Sequence, residues 1–242
     1  DKPGGPTPEP QEFREGEAVP EPTTSAVGKL LTKWNKARMD ENPATERYQG
    51  AWVDDIASGG NAGVAVAYAG RLLKSPVDVF IPKTSSPIFK KAMEVEGASV
   101  HVVGDVWDET NEIALKFVEE KQACYIPPFD HPTLWSGHSS IIAECQASMQ
   151  KPDAVVAAVG GGGLACGLLE GMRNVGWDDV PLYTAETEGA ASCKASIEAG
   201  QLVSLENIDT IATSLGAKCI TKKLLDWSFQ RSIIPCVVTD QE

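Results

Sequence analysis

The chain has 242 residues, 42% of them hydrophobic and 23% charged, enough apolar material for one large core or two small ones and too much for a disordered solvating polymer. Lys and Arg number 21 against 34 Asp and Glu, a formal charge of −13, which argues against a nucleic-acid or anionic-membrane face while allowing a local basic pocket. No apolar run approaches the roughly 20 residues that a bilayer span needs, and no basic stretch leads into an apolar one at the start, so neither a membrane span nor a signal peptide is expected. The first residue is Asp, so an upstream piece is expected.

Residues 1–25 hold six of the sixteen prolines, and six acids against two bases, so they read as an acidic Pro-rich tail with little to bury. From Ala26 to Met39 the positions Val27, Leu30, Leu31, Trp34 and Ala37 fit one helix face, and residues 40–50, with Pro43, read as a loop. Then a rhythm sets in. A short strand over Trp52–Ala57 runs into the turn Ser58-Gly59-Gly60-Asn61-Ala62-Gly63, and a small-residue helix covers Val64–Leu73. Val77–Ile81 predicts a strand ended by Pro82. Ser85, Ser86 and Pro87 predict the start of a helix that buries Ile88, Ala92 and Val95 and ends at a left-handed Gly97.

Ser99–Val103 predicts a strand, Trp107–Lys121 a helix and Pro127–Gly137 a loop. Asp153–Val159, apolar and β-branched, predicts a strand buried on both faces of a parallel sheet. Helix Leu164–Val175, strand Pro181–Ala185 and helix Ala190–Ala199 follow. Such alternation means βαβ units, here an α/β fold of two doubly wound lobes, residues 26–130 (small) and 131–242 (large), with a cleft between them. The six cysteines lie far apart with none paired as C-x-x-C, and read as reduced thiols of a cytoplasmic protein.

Two glycine turns carry the chemistry. Gly160-Gly161-Gly162-Gly163-Leu164 joins an apolar strand to a helix; without Cβ atoms it can present several N–H groups at the positive end of that helix, a cradle for phosphate. Gly160-x-Gly162-x-x-Ala165, with Glu186 near the end of the next strand, also satisfies a loose dinucleotide fingerprint, so a nicotinamide cofactor stays open at this point. Ser58-Gly59-Gly60-Asn61 offers N–H groups, a hydroxyl and an amide at a second strand-to-helix junction, suited to a carboxylate. A turn capped by Ser58 or Asn61 without a ligand is the plainer reading.

The segments SGGNAG, VAVAYAGRLL, YIPPFDHPTLWSGHSSI, VVAAVGGGGLACGLLEGM, VGWDDVPLYTAETEGAAS and IATSLGAK, in that order, resemble the L-serine dehydratase/L-threonine deaminase family, pyridoxal-phosphate enzymes of the tryptophan-synthase-β-like fold (fold type II). The likeness runs from about Ile56 to Gln241. It implies that Gly160, Gly161, Gly162, Gly163 and Leu164 hold the cofactor phosphate, that Asn61 meets the pyridoxal 3′-oxygen, and that Ser58, Gly59 and Asn61 receive the substrate carboxylate. It also implies a monovalent cation, K+, held by Glu186 and the carbonyls near Gly160, Ala190 and Leu215.

The nearest match to the family's Ser-x-Lys-x-Arg-Gly segment is Asn35-Lys36-Ala37-Arg38-Met39, which makes Lys36 the expected covalent cofactor lysine and Cα base, with Lys29 and Lys33 as the substitutes, although the Ser and the Gly are replaced. The family's pattern continues beyond Gln241 and begins upstream of Lys36, so the fold is expected to be incomplete at both ends. The implied reaction is elimination from L-serine or L-threonine to pyruvate or 2-oxobutyrate and ammonia, by a cytoplasmic homodimer acting on a small amino acid. A non-catalytic homologue that keeps the phosphate site is the alternative, and an NAD-binding enzyme a more distant one.

Overall fold

A computed structural model describes residues 54–121 and 123–242; the acidic tail, the expected helix over Ala26–Met39 and Lys36 lie outside those residues. The described residues form two parallel sheets. The first contains β1 (Asp54–Ala57), β2 (Val77–Ile81), β3 (Ser99–Val102) and β4 (Cys124–Tyr125), in the order β3-β2-β1-β4. Its crossovers are α1 (Asn61–Leu73), α2 (Pro87–Val95) and α3 (Trp107–Lys121). Because side chains alternate across a strand, Ile56, Val79 and Ile81 build one apolar cluster with Ala67 and Met93, from α1 and α2, and Ala57 and Phe80 build another with Ala114 of α3. Helices therefore cover both faces.

The second sheet contains β5 (Val155–Ala158), β6 (Leu182–Thr187) and β7 (Ile233–Val238), in that order, with Ala157 opposite Thr184 and Thr184 opposite Pro235. α4 (Pro132–His138) and α5 (Ser140–Ser148) precede its strands, and α6 (Gly163–Asn174), α7 (Ser192–Ala199) and α8 (Lys222–Ser228) lie between them. Leu168, Leu169 and Met172 of α6 pack with Ala157, Leu182, Leu224 and Trp227 in the larger core.

Capping follows the sequence at α2, where Pro87 opens the helix and the Ser86 hydroxyl accepts from Ile88 N–H at 3.3 Å; Gly97 has φ +87°, as expected. The buried face does not. Ile88 is 78% and Val95 68% exposed, while Met93 is buried and Phe89 packs beside it. Both stripes are apolar, and the sheet takes the one carrying the larger side chains. β5 is likewise covered on one face only by the described residues: Val156 is 71% exposed and Ala158 is exposed, while Ala157 faces the core. The second half of the expected loop over Pro127–Gly137 is instead helical, in α4, because the His131 ring accepts from Thr133 N–H at 3.1 Å and Pro132 fits the first turn.

Candidate active site

In the first sheet the chain leaves β1 toward β2 and β3, then returns to place β4 on the other side of β1. The crevice beyond the carboxyl ends of β1 and β4 is therefore a topological switch point, where α/β sheets hold ligands. The SGGNAG turn stands there. Ser58 N–H donates to Phe80 O at 3.0 Å, Trp107 Nε1–H donates to Ala57 O at 2.8 Å, and Gly60 N–H donates to Ser58 Oγ at 3.4 Å. A Cβ at Gly59 would strike the Ser85 side chain, and one at Gly63 would lie 2.5 Å from Ser58 O. These contacts demand small residues. α1 starts at Asn61, three residues earlier than expected, with no side-chain cap from Gly60 and no acid in its first turn, and Asn61 is exposed. The positive end of α1 is open to an anion.

The second turn follows β5. Val159 N–H donates to Ala185 O at 3.0 Å, extending the ladder up to Gly160. Gly162 has φ +91°, a left-handed value that favours glycine. The other glycines answer to their neighbours: a Cβ at Gly160 would lie 3.0 Å from Leu215 O, one at Gly161 would enter the Phe129 ring, and one at Gly163 would lie 2.5 Å from Phe129 O. No side chain caps α6, and its first helical bond is Cys166 N–H to Gly162 O at 2.9 Å. The N–H groups of Gly163, Leu164 and Ala165 thus lack intrahelical acceptors. Elsewhere α2, α4 and α8 are capped by the side chains of Ser86, His131 and Thr221. A cradle lined by backbone, at an uncapped helix, fits a phosphate.

One dipeptide touches both turns. Ser214 Cβ lies 3.6 Å from the position of a Cβ on Gly60, and Leu215 O lies 3.0 Å from that of a Cβ on Gly160. The short helical turn Thr213–Leu215 is wedged between the two glycine turns, and so brings Ser58, Gly59, Asn61 and Gly160–Leu164 into one neighbourhood.

Glu186 is 1% exposed, not a surface strand-end acid. Its carboxylate accepts from Cys193 N–H at 2.7 Å and Lys194 N–H at 2.9 Å in the first turn of α7, and burial raises its pKa in spite of those two bonds. Ala190, further along the same segment, is also buried, and Leu215 meets Gly160. The Ser192 hydroxyl is fully buried and has no hydrogen-bond partner among the described residues. A carboxylate, an orphaned hydroxyl and backbone carbonyls are hard oxygen donors of the kind a monovalent cation takes. Among the described residues no group of three or more His, Cys, Asp and Glu is placed to hold a metal.

Phe129, Trp107, Ser85, Ser192 and Thr221 escaped sequence reasoning because each acts on a backbone far from it in the chain. The PPFD and GAASC segments were visible, but nothing local reveals what they touch. The thiols of Cys166 and Cys193 are pushed up to about 12 by burial, which leaves them inert at neutral pH. A separate groove of about 580 Å³, lined by Glu188, Asp209 and Asp240, carries the wrong charge for phosphate or carboxylate.

Residues 55–242 match the family described as "Pyridoxal-phosphate dependent enzyme". L-serine dehydratase/L-threonine deaminase of Bos taurus is 44% identical over 188 residues, which cover 76% of this chain and 57% of that protein. Its Homo sapiens counterpart is 42% identical over 187 residues, with the same shares covered. A fungal L-serine ammonia-lyase from Rhizomucor miehei superposes with a TM-score of 0.76 at 30% identity, covering 91% of this chain and 67% of that one. The chain spans a little over half the length of the curated relatives it matches.

Proposed function

The chain belongs to the pyridoxal-phosphate dependent enzyme family, and on that premise we propose that it contributes the cofactor and substrate sites of an enzyme that eliminates the β-hydroxyl of L-serine or L-threonine. The products are pyruvate or 2-oxobutyrate and ammonia. The observation that carries this reading is the Ser214–Leu215 dipeptide touching both glycine turns, so that one ligand pair can engage both open helix ends.

In this reading the N–H groups of Gly160–Gly163 and Leu164 hold the phosphate, and the Asn61 amide donates to the ring's 3′-oxygen. The Ser58–Gly59 turn, at the positive end of α1, takes the substrate carboxylate. The pyridine ring of the cofactor, when bound, supplies the electron sink for a Cα carbanion. Lys36, outside the described residues, is the proposed attachment lysine and the base that removes the Cα proton. Glu186, Ser192 and the carbonyls near Gly160, Ala190 and Leu215 hold K+, which fixes the turn that joins both sites. We assign the first sheet to a small lobe, residues 26–130, and the second to a large lobe, residues 131–242.

Among the described residues no helix is long and apolar enough to cross a membrane. A cytoplasmic homodimer is carried over from the sequence resemblance, and the free cysteines agree with a reducing compartment.

Adding the cofactor to the purified chain is expected to give an imine absorbance band near the visible edge, a borohydride-stable adduct at Lys36, and keto acid from serine or threonine. Absence of both band and keto acid would sink the proposal. Phosphate binding without an adduct would point instead to a non-catalytic member of the family.

A further inference from the structure

Thr221 is buried at the start of α8, where its N–H and hydroxyl make three bonds at once. Its N–H donates to Gly161 O at 2.8 Å, its hydroxyl donates to Asp130 Oδ1 at 2.6 Å, and the same hydroxyl accepts from Lys223 N–H at 3.3 Å. A hydroxyl has one proton and two lone pairs, so its two bonds do not compete. A trans peptide sets its carbonyl and its N–H on opposite sides. Holding the Gly161 carbonyl against Thr221 therefore turns the Gly162 N–H away from α8, to the far side of the loop. Leu224 and the Thr221 methyl lie beneath Gly162, at 2.8 and 3.4 Å from the position of a Cβ there. Asp130 follows Phe129, whose ring and carbonyl abut Gly161 and Gly163. The dipeptide Phe129–Asp130 thus meets the loop twice, once directly and once through Thr221.

We propose that Thr221, fixed by Asp130, is a positioning residue that aims the Gly160–Gly163 loop at phosphate and so sets the affinity for a phosphate-bearing ligand. The inference rests on the phosphate reading of that loop. Nothing in the Thr221 bracket touches the ring-facing side at Asn61, so its loss acts on the phosphate and spares the rest of the ligand.

The test titrates the full chain with pyridoxal 5′-phosphate, with pyridoxal and with inorganic phosphate, following binding by calorimetry and folding by circular dichroism. Thr221→Val and Asp130→Ala are expected to weaken both phosphate-bearing ligands by about tenfold, the effect of losing one charge-assisted hydrogen bond, and to leave pyridoxal within roughly twofold. Thr221→Ser, which keeps the hydroxyl, is expected to restore binding. Unchanged phosphate affinity in both variants overturns the positioning role alone, as does an equal loss for pyridoxal or a failed rescue by serine. A wild-type chain that takes neither phosphate ligand overturns the phosphate site, and this role with it.

Discussion

The two glycine turns occupy the same station, the end of a parallel strand running into a helix, but they are held in opposite ways. The turn at Ser58–Gly63 is clamped at its flanks by side chains from α3 and from the loop after β2, Trp107 on Ala57 O and Ser85 against Gly59, while Asn61 at its tip stays exposed. The loop at Gly160–Gly163 is sealed by its neighbours, Phe129 over it and Thr221 and Leu224 under it, with Gly161, Gly162 and Gly163 buried. An exposed tip leaves the Asn61 amide free to meet a ligand as it arrives. A sealed loop suits a ligand that stays.

Placing the same methyl in both turns tests this contrast most sharply. Gly163→Ala sets a Cβ 2.5 Å from a backbone carbonyl that cannot rotate away, and is expected to cost about 3 kcal/mol in urea unfolding. Gly60→Ala meets only Ser214 Cβ at 3.6 Å, an ordinary contact, and is expected to cost less than about 1 kcal/mol. Equal costs would erase the distinction between the turns.

Next in size is Glu186. Glu186→Ala leaves the Cys193 and Lys194 N–H groups without their acceptor and is expected to lose about 2 kcal/mol. Burial raises the pKa of this carboxyl in the folded protein, so its titration favours folding in full below the unfolded carboxylate range, and that contribution is lost as pH rises through the raised value. Melting curves of wild type and Glu186→Gln are therefore expected to change in relative order toward the variant as pH climbs from 4 to 7. A constant difference would show that the carboxyl titrates alike in both states.

The smallest effect is expected from Trp107→Phe. It removes one hydrogen bond to Ala57 O, about 1 kcal/mol, and should raise KM for the amino acid by more than it weakens cofactor binding through Asn61. A matching loss of cofactor affinity would mean that the two turns are not held independently.

Much of the fold was legible because βαβ units punctuate themselves with glycine, proline and Ser caps, as at Ser86, Pro87 and Gly97. β7 was not, since Pro235 interrupts its apolar run. The structure places that proline on the edge strand of the described sheet, where a missing N–H is tolerated. α8, only seven residues long, offers too little periodicity to be seen. The outward turn of Ile88 and Val95 shows a further limit: spacing marks apolar stripes, but choosing between Ile88–Val95 and Phe89–Met93 requires the sheet beneath them. For the site, glycine spacing located both turns and the resemblance singled out Glu186, whose burial no local pattern reveals. What brings the turns together, Ser214–Leu215, lies some fifty residues beyond Gly160 and carries no local mark.

The four glycines after Val159 also differ in how evolution could replace them. Gly161 is blocked by a ring, so a paired change that shrinks Phe129 opens a route to alanine there. Gly163 is blocked by a main-chain oxygen, and Gly162 by its own dihedral, and no second substitution nearby relieves either. Gly160 is the least crowded of the four, its Cβ meeting Leu215 O at 3.0 Å, so drift along this loop should enter at its first position, or at its second in company with residue 129.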